Sequence, residues 1–210
     1  MESRNGNKHA NQQTYLCCFH HKLREVRKLR RISEAKERIL ELLWKSEVPL
    51  DSREVSEKTG LRVRSANMHL LGLSRLGCVS KSENGYHAIT ESGREAIGFP
   101  KVDKVFARKV LRKTSPEKAF HFYSGIDQPT GVSSSNLVDF CETIRTIDIE
   151  SVEFHAVRGD FELWVHYLGD IELSKRLRLI RQAGLTREAL RDRLHKTLRS
   201  RCDELHRKAA

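Results

Sequence analysis

Two histidines, an arginine and an aspartate in the second half of the chain have the side chains that acid–base chemistry needs. They are His121, His155, Arg158 and Asp160. A histidine oriented by an aspartate can act as a general base, and an arginine can hold a carboxylate or a phosphate with two parallel hydrogen bonds. No nucleophile in a recognisable frame and no glycine-rich phosphate loop accompanies them in the sequence. We therefore expect no enzyme.

The same residues have a simpler structural interpretation. Asp160 follows a glycine at the predicted start of a helix, where it would serve as the N-cap, and Arg158 would be its ion-pair partner. We expect this structural role, with the surrounding aromatic residues in a core. The alternative is a site for a small ligand or a partner, formed by His121, His155, Arg158, Asp160 and Trp164.

A second cluster of metal-binding residue types lies near the N-terminus. It consists of Cys17, Cys18, His20 and His21. Zinc sites usually space the ligands of each pair two to four residues apart, and adjacent side chains cannot easily converge on one ion. The sequence therefore predicts no metal site and no cofactor, with these residues in a polar tail.

The positive charge of the chain is confined to its first half. The formal net charge is +11, to which residues 1–31 contribute +6, residues 32–113 +5 and residues 114–210 nothing. A basic half joined to a neutral half predicts that one part contacts a polyanion and the other does not. We expect residues 1–31 to be a disordered, basic N-terminal arm, with Arg30 and Arg31 available to phosphates.

Cysteine usage and hydropathy indicate the compartment. The five cysteines are odd in number and scattered, which is not the pattern of a secreted disulfide framework and favours a reducing cytoplasm. No apolar run approaches eighteen residues, so we expect no membrane-spanning helix and no membrane partner. The sequence thus predicts a cytoplasmic protein.

Residues 32–100 show the spacing of a small helical domain with a hairpin. Apolar residues recur at helical intervals from 34 to 46, a short helix capped by Asp51 or Ser52 follows, and a third helix is predicted at about 62–76. Gly77 would end this helix, and strands at 79–82 and 86–89 flank an Asn-Gly turn. Thr90 would cap a further helix.

These motifs, LRVRSANMHLLGLSRLGCV, NGY and ITESGREA, resemble the winged helix-turn-helix domain of regulators of the MarR, ArsR and PadR type. The resemblance implies that the third helix enters the major groove of DNA and that the hairpin at about 79–89, the wing, touches the backbone. By position it implies DNA contacts from Arg62, Arg64, Ser65, Asn67 and Met68 on the third helix. We expect Arg53, Lys81 and the cations of the following linker to neutralise phosphates. Leu71 departs from the pattern because the family usually has a polar residue there.

The remainder divides into a basic linker helix at 101–116 and a C-terminal, mainly helical domain at 117–210. Alternating apolar residues predict a strand at 119–124, and a Gly-, Pro- and Ser-rich stretch predicts a loop from 125 to 135. Five helical segments follow, and we expect Ser133 or Ser134 to cap the first and Thr186 the last. The motifs FHFY and EFHAVRGDFELW resemble an uncharacterised domain, and this resemblance implies no activity.

Together these observations predict an α+β, mostly helical protein with an N-terminal winged helix and a second small helical domain. The expected function is that of a sequence-specific transcriptional regulator that binds double-stranded DNA as a homodimer. The C-terminal domain would sense a small-molecule or protein effector or make the dimer contact. Two alternatives stay open: a protein-interaction adaptor that docks through the winged helix, and an enzyme housed in the C-terminal domain.

Overall fold

The computed structural model describes residues 32–46 and 48–210, and it is mostly helical with two small antiparallel sheets. The fold class predicted from the sequence, α+β and mostly helical, is confirmed. The chain divides between Phe99 and Pro100 into two compact units. The expected N-terminal arm at 1–31, including Arg30, Arg31 and the cysteine–histidine cluster, lies outside the described residues. No described helix is both long and apolar enough to cross a membrane.

The described part of the first unit contains four helices and one hairpin. Helices α1 (Glu34–Ser46), α2 (Ser52–Thr59) and α3 (Val63–Arg75) precede strands β1 (Val79–Lys81) and β2 (His87–Ile89), and α4 (Glu91–Ala96) ends the unit. Strands β1 and β2 pair with Val79 opposite Ile89. Leu50 forms an antiparallel bridge with His87, which joins the segment after α1 to the hairpin. This is the element order predicted for residues 32–100.

Local sequence signals set the boundaries of these helices. Asp51 caps α2 by accepting hydrogen bonds from the backbone N–H groups of Arg53 and Glu54, each at 2.8 Å, and the Glu54 carboxylate accepts from the Asp51 N–H. Gly77 follows α3 with a φ of 71°, which glycine adopts without a Cβ clash. The core between the helices is formed by buried apolar residues: Ile39, Leu40, Leu43, Leu50, Val55, Ala66, Leu70, Leu73, Cys78 and Val79.

The second unit packs six helices around a hairpin. It contains α5 (Lys104–Leu111), a 3-10 turn (Pro116–Lys118), β3 (Phe120–Gly125), β4 (Gln128–Ser134), α6 (Leu137–Thr146), α7 (Ile149–Arg158), α8 (Asp160–Leu168), α9 (Ile171–Gln182) and α10 (Arg187–Ala209). Aromatic side chains fill its centre, where Phe120, Phe122, Phe140 and Phe161 are all buried. Helix α5, predicted as a separate linker, buries Ala107 and Val110 in this same core.

The predicted loop at 125–135 is wrong, because residues 128–134 form β4 against β3. Pro129, which lacks the N–H of a regular strand, lies opposite Tyr123 between two register shifts, where a missing donor is tolerated. The composition of this segment is that of a loop, and the strand exists because β3 supplies its hydrogen-bonding partners.

Two predicted helix caps in this unit are also wrong. Asn136, and neither Ser133 nor Ser134, caps α6 by accepting from the N–H groups of Val138 and Asp139. Helix α10 has no side-chain cap from Thr186; instead the first backbone N–H of the helix, that of Arg187, donates to the Glu153 carboxylate at 2.8 Å. That carboxylate comes from α7, 34 residues earlier in the chain, so no local pattern could identify it.

Candidate functional site

The outer face of α3 is polar, basic and open to solvent. Ala66, Leu70 and Leu73 face the core, whereas Arg62, Arg64 and Asn67 are exposed, as is Met68, and Ser65 is half-buried. Period-3.6 spacing separates these two sets, since the buried residues recur every three or four positions. The sequence predicted this division, and the structure places the five expected residues accordingly.

Three polar side chains on this face have no side-chain partner among the described residues. No described residue forms a side-chain hydrogen bond or ion pair with Arg62, Arg64 or Asn67. Arg38 on α1 differs, because its guanidinium donates to the Thr59 carbonyl at 3.0 Å. Within the described part of the chain, these donors on α3 are therefore available to an external acceptor.

Two further cations predicted for this function also lie at the surface. Arg53 is exposed in the first turn of α2, and Lys81 is exposed at the end of β1, beside the turn of the hairpin. An exposed cation on a hairpin can reach a phosphate, which supplies affinity without base specificity. Each predicted DNA contact outside α3 is therefore accessible.

Apolar side chains also appear on the outer face of α3. Met68 is 64% exposed, Leu71 47% and Val63 44%. Leu71 is four residues before Arg75 and four after Asn67, so it interrupts the polar stripe along one face. Such residues can contact the methyl group of thymine or a protein partner.

The predicted histidine–aspartate pair is present in the second unit, but both ring nitrogens of the histidine are already hydrogen-bonded. The His155 Nδ1 lies 2.8 Å from Asp160 Oδ2, and the backbone N–H of Tyr123 donates to His155 Nε2 at 2.8 Å. Because Nε2 accepts, the proton of the neutral ring is on Nδ1 and is donated to the carboxylate. The side chain of His155 is only 5% exposed. A general base needs a free ring nitrogen, and His155 has none.

The electrostatics of His155 agree with a structural role. Burial lowers the pKa of His155 below its ordinary value, and the hydrogen bond and charge of Asp160 only partly oppose this effect. Phe120, Phe154 and Phe161 surround the ring, with centroids 4.9 to 5.7 Å away. The neutral imidazole thus joins β3 to the junction of α7 and α8.

The other members of the predicted set have separate partners. Arg158 Nε donates to Asp160 Oδ2 at 3.1 Å, as expected, but Asp160 does not cap α8, because its carboxylate is directed to the histidine and the arginine. Trp164 Nε1 donates to the Lys118 carbonyl at 3.0 Å, and the exposed His121 ring lies 3.1 Å from the Pro116 carbonyl. The five residues do not converge on one open site.

Sequence reasoning missed a buried ion network centred on Arg201 in α10. Its guanidinium makes two bonds to Asp170, Nε to Oδ2 at 2.7 Å and Nη2 to Oδ1 at 2.9 Å. The Nη1 atom contacts Glu172 at 3.3 Å and Glu204 at 2.6 Å. Burial alone would lower the pKa of Arg201, but the charges of these carboxylates raise it above its ordinary value. Asp170 also caps α9 through the Leu173 N–H.

A signal for this network was present in the sequence. Leu198, Arg201, Cys202 and Leu205 are spaced i, i+3, i+4 and i+7, so the arginine lies within the apolar stripe of α10. An arginine at such a position requires a buried carboxylate partner. Which carboxylate it meets depends on the packing of α9 against α10, and the sequence does not contain that information.

Comparison with known protein families matches a region that lies within the second unit. Residues 101–199 match the Family of unknown function (DUF5752). The matched region begins just after the boundary between the units and includes β3, the His155–Asp160 pair and Asp170. No curated protein and no solved structure matches the chain. The predicted domain of unknown function is therefore supported, and the description of the matched family names no activity.

Proposed function

We propose that the protein is a sequence-specific, DNA-binding transcriptional regulator that uses α3 as its recognition helix. The observation that supports this proposal is the set of exposed donors on α3, Arg62, Arg64 and Asn67, that no described residue engages. Arginine pairs with guanine edges and asparagine with adenine edges in the major groove, which is wide enough for one helix. Lys81 and Arg53 would bind phosphates.

The resemblance of the first unit to winged-helix regulators of the MarR, ArsR and PadR type gives the same docking geometry. In that arrangement α3 enters the major groove and the β1–β2 hairpin lies along the backbone. We further propose a homodimer, because one small winged helix covers only a half-site and a two-fold dimer would read a symmetric operator. The second unit would supply the dimer contact or bind a small-molecule or protein effector.

The experiment is duplex selection followed by affinity measurement across salt concentrations. We expect enrichment of one short symmetric motif and a steep loss of affinity with salt. Arg64→Ala and Asn67→Ala should each weaken binding to the selected motif about 10- to 100-fold, corresponding to about 1–3 kcal/mol. They should have a much smaller effect on random DNA.

Two matched variants separate base recognition from charge. Lys81→Ala should weaken selected and random DNA equally and reduce the salt slope by about 1. Arg178→Ala removes an exposed arginine from the second unit and should leave both affinities unchanged. No binding at low salt, or equal binding of wild type and the Arg64→Ala/Asn67→Ala double variant, would refute the proposal.

One observation favours a second candidate, a protein-interaction adaptor. Met68 and Leu71 are exposed apolar side chains on the same face of α3, and apolar anchors of this kind are typical of interface centres. If the adaptor is correct, Leu71→Asn should abolish capture of a protein partner while the Arg64→Ala/Asn67→Ala variant keeps whatever DNA affinity the chain has. We assign no catalysis to the His155 cluster, because both ring nitrogens are hydrogen-bonded.

A further inference from the structure

Helices α6 and α10 bring three different metal-ligating side chains together. Cys141 and Glu142 come from α6 and His195 from α10. One ligand atom from each, the sulfur, a carboxylate oxygen and a ring nitrogen, all lie within 4.8 Å of one another. Cys141 is buried and His195 is half-buried, whereas the Glu142 side chain is 45% exposed, so the group lies at the rim of the core with its sulfur inside.

The donor types indicate which ion would fit. A thiolate, an imidazole and a carboxylate together suit Zn²⁺, whereas Mg²⁺ and Ca²⁺ prefer oxygen ligands alone. Zinc–ligand distances of about 2.0–2.3 Å in a tetrahedron place neighbouring donor atoms roughly 3.5 Å apart. Small side-chain rotations would close the present separations to that value. One thiolate and one carboxylate would also neutralise the two charges of the ion.

The neighbouring groups are compatible with this arrangement. The Cys141 thiol donates to the backbone carbonyl of His195 at 4.0 Å, and the Cys202 thiol donates to the Leu137 carbonyl at 3.8 Å. Glu142 Oε1 accepts from Arg199 at 3.1 Å, and Oε2 lies 3.7 Å from Arg145 Nε. These guanidinium groups orient the carboxylate and compete with a cation for it. A bound ion would share the carboxylate with one of them.

We propose that Cys141, Glu142 and His195 form a zinc site that joins α6 to α10, with solvent as the fourth ligand. Binding releases the Cys141 thiol proton to solvent, because the thiolate is the form that ligates. The site lies entirely within the second unit and does not depend on the proposed DNA binding. The bound ion would stabilise this unit, because it binds the folded chain, where the three ligands are together, and not the unfolded chain, where they are far apart.

The test is metal titration of the full reduced chain by competition with a chromophoric chelator. Cys17, Cys18, His20 and His21 are first replaced by alanine, which removes the other group of metal-binding residue types. We expect one Zn²⁺ per chain, and one Co²⁺ with a sulfur-to-cobalt charge-transfer band. A saturating concentration of Zn²⁺ should raise the unfolding temperature of the second unit.

Variants in this background identify the ligands. Cys141→Ser should remove the charge-transfer band, and both Cys141→Ser and His195→Gln should weaken Zn²⁺ binding at least 100-fold. Cys78→Ser, a buried cysteine of the first unit, and His166→Gln, an exposed histidine of α8, should change nothing. Circular dichroism shows whether each variant is folded. If Cys141→Ser is unfolded, the Zn²⁺ affinity of His195→Gln decides whether the site exists.

Three results would overturn the proposal. One is a band that persists in folded Cys141→Ser. Another is unchanged affinity in His195→Gln. The third is loss of all metal binding when Cys17, Cys18, His20 and His21 are replaced, which would place the metal on the first 31 residues.

Discussion

Arginines in the two units differ in burial and in pairing. Arg62 and Arg64 on α3 of the first unit are exposed and have no described partner, whereas Arg201 in the second unit is buried and contacts three carboxylates. Net charge does not follow this division, because residues 32–99 are neutral, whereas residues 100–210 carry +5, all of it from residues 100–113. Cations without intramolecular partners are available to a polyanion, and compensated ones stabilise a fold.

The largest expected effect comes from removing the buried cation. Arg201→Met should destabilise the second unit by about 3–5 kcal/mol, because Asp170 would remain buried without its counter-charge and Glu172 would lose one of its two arginine partners, keeping Arg176 at 3.3 Å. The chain has one tryptophan in each unit, so urea unfolding of a Trp44→Phe background reports Trp164 alone. Arg178→Ala, an exposed arginine, should cost under about 0.5 kcal/mol. A loss below 1 kcal/mol in Arg201→Met would contradict the contrast between the units.

The first unit depends on close backbone packing at Gly93 in α4. A Cβ there would lie 2.2 Å from the Cys78 carbonyl oxygen and 2.7 Å from Ile89 Cγ1. Gly93→Ala should therefore destabilise this unit by about 1–3 kcal/mol through overpacking. Unfolding is followed by Trp44 fluorescence in a Trp164→Phe background. Ser92→Ala, exposed on the same helix, is the control, and equal stability of the two variants would disprove the close contact.

In the described part of each unit one buried histidine has a pKa that burial lowers, His87 in the first unit and His155 in the second. The unfolded chain protonates first as pH falls below about 6.5, so both units should lose stability from there down to the folded pKa. The slope is at most about 1.4 kcal/mol per pH unit for each histidine.

Substitution assigns these slopes to individual histidines. His155→Gln should flatten the pH dependence of the second unit only, and His87→Gln that of the first, as measured by urea midpoints between pH 5 and pH 8. An unchanged slope in both variants would show that other groups set the acid sensitivity.

The smallest effect is expected at Gly72 in α3. Alanine is a better helix former by up to about 1 kcal/mol, and the added Cβ would meet only the flexible end of Lys36, with Nζ at 3.2 Å. Gly72→Ala should raise the stability of the first unit by up to that amount without changing DNA affinity. A decrease in stability would mean that Lys36 cannot move aside.

The sequence predicted the first unit better than the second. The α1–α4 helices and the β1–β2 hairpin follow from apolar spacing, the Asp51 and Thr90 caps and Gly77, all of which act within a few residues. In the second unit β4 and the cap of α10 were missed. Both depend on partners supplied by β3 and by α7, and those contacts are made only when the chain has folded.

The candidate sites show the same difference between features set within one element and features set by contacts between distant residues. The exposed face of α3 was predictable because a helix fixes which residues share a face. The hydrogen bond at the second ring nitrogen of His155 was not predictable, because its donor is the Tyr123 N–H, 32 residues earlier in the chain. The Cys141–Glu142–His195 group likewise exists only because α6 packs against α10.

The sequence by itself therefore determined the distribution of charge, the order of helices and turns in the first unit, and the polar face of α3. These properties depend on composition and on spacing within single elements. The tertiary structure alone decided that Arg201 is compensated, that His155 has no free nitrogen and that three metal-ligating atoms meet. Burial and pairing are relations between distant residues, and only the packed chain brings those residues within bonding distance.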